Sequence, residues 1–308
     1  MKLDLCRMEI EKFYLNKRVL ITGGAGFIGS HLAEKLVSLQ AQVTILDNLS
    51  TGSLHNLVQI KNQINFIQGD IRSAKTCDLA TKNQDLILHE AAFVSAAESC
   101  EKPYECYEIN VHGTLNILDA AYKNKVNKLL FASSAAVYGN TNQICQEDMI
   151  CEPESPYGAS KLTGEKYCQI MSQNGKLPTL SLRYFNVWGE RQDPNGSYAA
   201  AIAKFKQNLQ ANLPITIYGN GLQTRDFIHV SQIVDANLTL AMLDKTNLNG
   251  QSVNIATGKS QTLLAMLEAL KTNYPNYQAE IKFMPARLGD IQHSQANNQK
   301  LSLLKLQI

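Results

Sequence analysis

The sequence lacks the features that would direct it to a membrane or to nucleic acid. None of its apolar runs approaches the roughly 20 consecutive residues that a transmembrane helix needs. Its 308 residues carry a formal net charge of only +2, so neither sign is in an excess that would attract nucleic acid or an anionic lipid surface. We therefore expect neither a membrane nor a nucleic acid among its partners.

Cysteine is scarce and follows no pattern. The seven cysteines are at positions 6, 77, 100, 106, 145, 151 and 168, and no two of them form C-x-x-C. This spacing offers neither zinc ligands nor a disulfide framework, so no metal site is predicted. The first residues, MKLDLCRMEIEKF, carry acidic side chains among the apolar ones, unlike a signal peptide. Both observations predict a cytoplasmic protein with reduced thiols.

Apolar, β-rich segments recur along the first 185 residues and alternate with amphipathic ones. Helical spacing of apolar residues is clear in 27–40 and in 110–124. Continuous apolar strands between amphipathic helices are typical of a parallel sheet covered on both faces. The predicted fold is therefore α/β, with a doubly wound parallel sheet of the Rossmann type. The predicted strands are 18–22, 42–47, 64–68, 86–91, 128–133 and 179–185.

The alternation of apolar strands with amphipathic helices becomes less regular after about residue 186. Short strands are predicted near 215–218 and 252–255, in a part of the chain that is richer in Pro, Gly and Asn. We expect a Rossmann-type domain over 1–185 that also includes about 222–245, and a smaller, interwoven substrate lobe over most of 186–308. Residues 9–15 are predicted to form a helix that lies on the sheet.

A glycine-rich segment, TGGAGFIGSHL, follows the first predicted strand and opens the first predicted helix. Gly24, Gly26 and Gly29 spell G-x-G-x-x-G, and Gly23, Gly26 and Gly29 spell G-x-x-G-x-x-G. Glycines let the backbone approach a pyrophosphate, whose negative charge suits the positive N-terminus of a helix. Because strand, glycines and helix occur in this order, the segment predicts a dinucleotide site.

Two acidic residues follow neighbouring strands. Asp47 lies 18 residues after Gly29, near the spacing of an acid that binds the adenosine ribose. A carboxylate there repels a 2′-phosphate, so NAD is predicted rather than NADP. Asp70 and Ile71 follow the third strand, where an adenine edge would lie. The alternatives are a strand-end cap for Asp47 and an ordinary turn residue for Asp70.

A hydroxyl, a phenol and an ammonium are predicted to meet at the carboxyl edge of the sheet. Ser133 and Ser134 end the fifth strand, and SPYGASK then begins a helix with Tyr157 and Lys161 one turn apart. Tyrosine has a pKa near 10 in water, and a neighbouring cation favours the phenolate. Tyr157 is thus predicted to transfer a proton, with Lys161 lowering its pKa and holding the nicotinamide ribose. The alternative is a surface Tyr beside a solvated Lys.

The fourth strand is followed by HEAA, in which the small residues Ala91 and Ala92 would let a dinucleotide pass close by. His89 itself is interpreted as a structural residue rather than a ligand.

Together, TGGAGFIG, HEAA, SSAAVYG, PYGASK and RYFNVWGERQDPNG resemble the extended short-chain dehydrogenase/reductase superfamily. Within it, the chain is similar over about residues 15–300 to nucleotide-sugar 4-epimerases, most closely those acting on UDP-glucose and UDP-N-acetylglucosamine. The resemblance implies tightly bound NAD, a UDP-sugar substrate and a homodimer. It also implies epimerisation at C4 through a transient 4-keto sugar, with Ser134, Tyr157 and Lys161 as the catalytic residues.

The resemblance also implies binding residues. Two arginines would clamp the diphosphate, Asp290 would hold the uridine ribose, and a serine at 294 would leave room for a 2-acetamido group. The predicted NAD contacts are Gly23, Gly26, Phe27, Ile28, Gly29, Asp47, Asn48, Asp70, Ile71, Ala91, Ala92, Asn110, Ser133, Tyr157 and Lys161. The predicted substrate contacts are Ser134, Tyr157, Asn186, Arg225, Arg287, Asp290 and Ser294.

Other activities occur on the same scaffold. In 4,6-dehydratases an Asp-Glu pair follows the active-site Ser or Thr, and decarboxylases usually carry a Glu nearby, whereas this chain has Ala135 and Ala136. A reductase would need exchangeable NADPH, which Asp47 disfavours. A non-catalytic dinucleotide-binding protein would not need the Ser, Tyr and Lys. Near the C-terminus Asn297 replaces the usual Asp, and we expect it to cap a shortened closing helix.

Overall fold

The computed structural model describes residues 2–194, 201–285 and 293–305, with side chains from residue 8 onward. These residues form twelve strands, which are β1 Arg18–Thr22, β2 Gln42–Asp47, β3 Ile64–Gln68, β4 Leu86–His89, β5 Lys128–Ser134, β6 Thr179–Tyr184, β7 Asn186–Trp188, β8 Ile215–Tyr218, β9 Thr224–His229, β10 Asn249–Ile255, β11 Ser260–Thr262 and β12 Ile281–Met284.

The helices of the same described residues are α1 Lys2–Tyr14, α2 Phe27–Ser38, α3 Ala74–Thr81, α4 Ala96–Glu101, α5 Pro103–Tyr107, α6 Gly113–Lys123, α7 Pro156–Gln173, α8 Ala201–Ala211, α9 Val230–Leu240, α10 Leu263–Lys271 and α11 Gln299–Lys305. A π-helical turn, Glu108–His112, joins α5 to α6, and 3₁₀ turns span Leu54–Leu57 and Ala135–Tyr138. No helix of the described ranges is both long and apolar enough to cross a membrane.

Seven parallel strands form the central sheet, in the order β3-β2-β1-β4-β5-β6-β10. Both faces are covered, as the continuous apolar strands require. Val19 and Ile21 of β1 pack on the side of α2 and α9, whereas Leu20 packs on the side of α3, α6 and α7. The order and the two covered faces confirm the predicted doubly wound α/β fold.

Most predicted element ends agree with the structure, and the exceptions have local causes. The strand predicted over 86–91 ends at His89. The helix predicted over 27–40 ends at Ser38, because Gln40 has a left-handed φ of 59°. The N-terminal helix does lie against the sheet, since Tyr14 is fully buried in the core and its hydroxyl donates to the Leu238 carbonyl oxygen of α9 at 2.9 Å.

Two small sheets lie outside the central one. One has the order β11-β9-β7 and the other pairs β12 with β8, and apolar residues of α8 and α10 pack with them in a separate core. The strand predicted near 252–255 was wrongly assigned to this looser part. It is β10, which pairs in parallel with β6 and places the fully buried Val253 and Ile255 in the main core. The division into domains at residue 185 stays a prediction.

The last described helix, α11, packs against the core of the central sheet. The Asn297 Oδ1 accepts a hydrogen bond from the amide of Gln299, the first residue of α11, at 2.8 Å, so Asn297 lies one residue before the cap position, and Leu301 and Leu304 are buried against the main core. This closing helix therefore contributes to the stability of the large sheet.

Candidate active site

The glycine-rich segment forms a tight turn between β1 and α2. Gly23 has φ of +69°, and a Cβ there would lie 2.8 Å from the Cα and N of Ala91. A Cβ on Gly29 would meet the carbonyl oxygen of Gly23. Gly26 occupies the N-cap position of α2 and makes no side-chain cap, and the first turn of α2, with Phe27 and Ile28, holds no acid. This positive helix end, which has no side-chain cap, fits a pyrophosphate, so the turn can hold the predicted dinucleotide.

We expect Gly23→Ala to abolish retention of NAD, because the added methyl group meets the Ala91 backbone and the positive φ disfavours any L side chain. The measurement is the NAD released by denaturation, per protein, after gel filtration. Gly175→Ala is the matched control, since Gly175 has a similar φ of +66° but open space around its Cα. If Gly23→Ala kept as much NAD as Gly175→Ala, the turn would not be the cofactor cradle.

Asp47 lies at the turn, where it was predicted. Its carboxylate accepts the Ala25 amide at 2.9 Å and the Leu49 amide at 2.8 Å, and only 7% of the residue is exposed. It therefore ties the glycine turn to the end of β2. The predicted contact with the ribose stays a prediction.

Asp70 is held by an arginine that the sequence analysis missed. The Arg72 Nη2 lies 2.7 Å from one Asp70 oxygen, its Nε lies 3.0 Å from the other, and Asn48 donates to the carboxylate at 2.8 Å. The Arg72 hydrogen bond is the main cause that lowers the pKa of Asp70 to about 2. The Arg72 amide also donates to Asp70, which supports the turn-residue alternative. Ile71 is buried, and the adenine contact stays a prediction.

The three predicted catalytic residues lie on elements that touch one another. Ser134 ends β5, and its Oγ accepts the Ala136 amide at 3.1 Å. On α7, the Lys161 Nζ donates to the Ala132 carbonyl oxygen of β5 at 2.7 Å and lies 5.9 Å from the centre of the Tyr157 ring. Lys161 thus joins the helix of Tyr157 to the strand of Ser134.

The start of α7 is fixed by its own sequence. Ser155 accepts the Gly158 amide at 3.1 Å as the helix cap, and Pro156 occupies the first turn. A Cβ on Gly158 would lie 2.6 Å from the Ala136 carbonyl oxygen, so only glycine lets this turn pack beside the turn that follows Ser134. This packing brings the first turn of α7, which carries Tyr157, to the end of β5 that carries Ser134.

Lys161 is 3% exposed, and burial is the main cause that lowers its pKa to about 8. A nearby carboxylate opposes this shift. That carboxylate is Glu90, which follows β4 and which the sequence analysis did not select. The signal for it was the acid in HEAA, directly after an apolar strand.

Glu90 is partly buried and ends a hydrogen-bond chain whose other members, Tyr184 and Asn237, are buried. The Tyr184 hydroxyl donates to the Glu90 Oε1 at 2.8 Å, and the Asn237 amide nitrogen donates to the Tyr184 oxygen at 2.8 Å. The imidazole of its neighbour His89 is hydrogen-bonded elsewhere, through Nδ1 to the Thr22 hydroxyl at 2.6 Å and through Nε2 to the Thr114 hydroxyl at 3.0 Å. Burial lowers the pKa of His89 to about 3. These contacts support the structural interpretation of His89.

A second buried network lies behind the catalytic residues. Glu165 of α7 accepts hydrogen bonds from Ser133 at 2.5 Å, from Arg183 at 2.7 and 2.9 Å, and from Ser252 at 2.9 Å. The predicted NAD contact Ser133 therefore uses its hydroxyl within the protein. A contact between Ser133 and NAD stays a prediction.

Asn110 holds the loop after β4 against α7. The side-chain oxygen of Asn110 accepts the Phe93 N–H at 2.7 Å. Its side-chain nitrogen donates to the Phe93 carbonyl oxygen at 3.0 Å and to the Ser160 Oγ at 2.9 Å. The partly buried Ala91 and Ala92 lie in the same loop, with the Ala91 backbone against Gly23. Their contacts with NAD stay predictions.

Three of the predicted substrate residues come together in the sheet of β7 and β9. Asn186 pairs with Phe227 of β9, and its amide donates to the Asp226 carbonyl oxygen at 3.2 Å. Arg225 lies on β9, and the Ser294 amide donates to the carbonyl oxygen of its neighbour Thr224 at 3.1 Å. Arg287 and Asp290 lie outside the described residues.

Comparison with known proteins agrees with this geometry. The sequence model of the "NAD dependent epimerase/dehydratase family" matches residues 19–256. A putative UDP-glucose 4-epimerase of Methanocaldococcus jannaschii is 38% identical over 276 residues, which are 89% of this chain and 87% of that protein. A dTDP-D-glucose 4,6-dehydratase of Homo sapiens is 36% identical over 262 residues, 82% of this chain and 73% of that protein.

A solved structure is similar over nearly the whole fold. It is a UDP-N-acetylglucosamine 4-epimerase from Methanobrevibacter ruminantium in complex with UDP-N-acetylmuramic acid. It has a TM-score of 0.89 and 36% sequence identity, and the alignment covers 94% of this chain and 92% of that one. The strand order, the glycine turn and these similarities together show that the chain belongs to the NAD dependent epimerase/dehydratase family, within the extended short-chain dehydrogenase/reductase superfamily, and that NAD is its cofactor.

Proposed function

We propose that the protein is a UDP-sugar 4-epimerase, which interconverts UDP-N-acetylglucosamine with UDP-N-acetylgalactosamine, UDP-glucose with UDP-galactose, or both pairs. The observation that carries this proposal is the position of Tyr157, one helical turn from a Lys161 that is bonded to the strand of Ser134. Ala135 and Ala136 follow that serine, so this turn offers no acid for the elimination of water. The absence of an acid there favours epimerisation over dehydration.

In this proposal the glycine turn of Gly23, Gly26 and Gly29 would hold NAD, which would supply the hydride chemistry at C4 of the sugar. Tyr157 takes the proton of the sugar 4-hydroxyl and later gives it back. The charged Lys161 favours the deprotonated phenol and holds the nicotinamide ribose. Ser134 donates a hydrogen bond to the sugar oxygen and helps to relay the proton.

The diphosphate must be held while the sugar turns over in the site. Arg225 and Arg287 are proposed to bind it with charge-assisted hydrogen bonds, aided by Asn186, while Asp290 binds the uridine ribose. Ser294 is proposed to leave space for a 2-acetamido group. The similarity to a UDP-N-acetylglucosamine 4-epimerase supports this role, and the backbone bond from Ser294 to Thr224 keeps Ser294 beside Arg225.

We further propose that the protein is a cytoplasmic homodimer. Aromatic and aliphatic side chains stand exposed on α5 and α7, with Tyr104 86%, Tyr107 54% and Ile170 49% exposed. Packing of these helices against those of a second copy would cover this apolar surface. Sedimentation velocity would test the dimer directly.

The function is tested by incubating the purified protein with UDP-N-acetylglucosamine and with UDP-glucose, separately and without added NAD. We expect C4 inversion of the N-acetylated sugar, detected by proton NMR. A 4-keto-6-deoxy product from either sugar would instead show a dehydratase, and no reaction with either sugar would contradict the proposal.

A matched variant separates the two substrates within the same test. Ser294→Tyr should narrow the sugar pocket and lower turnover of UDP-N-acetylglucosamine by at least about tenfold, while UDP-glucose is affected less. Equal losses on both sugars would remove Ser294 from sugar selection.

A further inference from the structure

Glu90 lies where the order of the central sheet reverses. The chain runs from β1 outward to β2 and β3, then crosses back to β4 on the other side of β1, and Glu90 directly follows β4. In open α/β sheets the ligand cleft opens at this switch point. The Glu90 amide donates to the Thr22 carbonyl oxygen at 3.2 Å, and a Cβ on Gly23 would lie 3.1 Å from the Glu90 carbonyl carbon. Glu90 therefore borders the glycine turn of the NAD cleft.

The Glu90 side chain points from β4 across β5 toward β6. Its Oε1 receives the Tyr184 hydroxyl at 2.8 Å, and Tyr184 is in turn held by Asn237 of α9. Glu90 is partly buried. Its carboxyl group is thus fixed by one hydrogen bond, between the glycine turn and Lys161.

Few groups can change the charge around Glu90. Among the residues that the structure describes, Lys161 of α7 and Tyr184 of β6 are the charged and titratable groups that act on it, while α9 contributes the neutral Asn237. His89 of β4 is neutral and faces the opposite side. On β1 and the glycine turn, the neighbours Thr22 and Gly23 carry no charge. Glu90 and Lys161 therefore set the local field in this part of the cleft.

The two forms of NAD differ in charge at the reacting ring. The oxidised nicotinamide carries one positive charge and the reduced ring carries none, so a carboxylate in the cleft stabilises the oxidised form. We propose that Glu90, in its ionised form, makes the protein bind NAD⁺ in preference to NADH. This preference keeps the cofactor in the form that the first hydride transfer requires, and it does not depend on which sugar is the substrate.

The sign of the pH dependence follows from burial. Burial raises the pKa of Glu90 to about 7, so the carboxyl group is neutral below this pH and charged above it. The preference for NAD⁺ therefore increases as the pH rises to 7. Lys161, with a pKa of about 8, keeps its proton over the same range and adds little to the change. The Tyr184 hydrogen bond lowers the pKa of Glu90, so Tyr184→Phe should move the transition to higher pH.

The test is a competition between NAD⁺ and NADH in the absence of sugar. The protein is equilibrated with a fixed mixture of the two at several pH values from about 5.5 to about 7, free cofactor is removed, and the bound forms are extracted and quantified. For the wild type we expect the ratio of bound NAD⁺ to bound NADH to rise about fivefold over this range. In Glu90→Gln, which has nearly the same shape, the ratio should change by less than about twofold.

In Tyr184→Phe the ratio of bound NAD⁺ to bound NADH should rise as in the wild type, but at a higher pH. A wild-type ratio that does not change with pH, or a Glu90→Gln ratio that rises as in the wild type, would overturn the proposal. Equal losses of affinity for both forms in Glu90→Gln, with the ratio still pH-dependent, would show a merely structural role and would also overturn it. Because no sugar is present, these outcomes are independent of the 4-epimerase proposal.

Discussion

Replacing Tyr157 by Phe is expected to lower kcat for C4 inversion by about a hundredfold to ten-thousandfold, the range typical for loss of a positioned proton-transfer group. The substitution removes one oxygen and keeps the ring. The start of α7 depends on Ser155, on Pro156 and on the hydrogen bond from the Tyr157 amide to Ser99, and none of these involves the phenol. Bound NAD should therefore be retained while turnover falls.

The measurement is single-substrate kinetics of inversion, with NAD content determined on the same sample. Tyr167→Phe is the matched control, because Tyr167 lies on α7 ten residues further along and points to the surface, with 36% of its area exposed. Its kcat should stay within about twofold of the wild type. A Tyr157→Phe enzyme with wild-type turnover would exclude the phenol from the proton transfer.

Features that depend on neighbouring residues in the sequence were predictable. The glycine turn requires only that β1, the glycines and α2 follow one another, and the structure has them in that order. The pair Tyr157 and Lys161 likewise needs only a helix that starts at the Ser-Pro before it. Local spacing determines both the turn and the helix start, so both were predicted without coordinates.

Features that depend on contacts between distant segments were not predictable. Glu90 and Tyr184 are 94 residues apart, and no local pattern indicates that a carboxyl group and a phenol will meet across β5. Similarly, β10 was assigned to the wrong part of the fold because its membership of the central sheet depends on pairing with β6. Sequence periodicity predicts that a segment is a strand, whereas the neighbour of that strand is decided by the whole chain.

Glu165 is another residue whose partners could not be predicted from the sequence, and replacing it is expected to have the second large effect, on the free energy of unfolding. On sequence alone it is one more acid on a helix, yet Glu165 and Arg183 form a salt bridge of 2.7 Å with side chains only 4% and 5% exposed. Glu165→Met would leave the Arg183 guanidinium buried without a counter-charge. We expect this to lower the free energy of unfolding by about 3–5 kcal/mol, measured by urea denaturation of the NAD-bound protein.

The double variant Glu165→Met/Arg183→Met distinguishes an unpaired charge from a loss of packing. If the loss of stability in Glu165→Met arises from the buried, unpaired guanidinium, removing the arginine as well should restore part of the free energy of unfolding. The double variant should then unfold at a higher urea concentration than Glu165→Met. Lys123→Met is the control, because the Lys123–Asp119 pair is 66% and 60% exposed and its midpoint should stay near that of the wild type. A double variant no more stable than Glu165→Met would mean that the acid acts through Ser133 and Ser252 instead, by joining β5 and β10 to the helix that carries Tyr157 and Lys161.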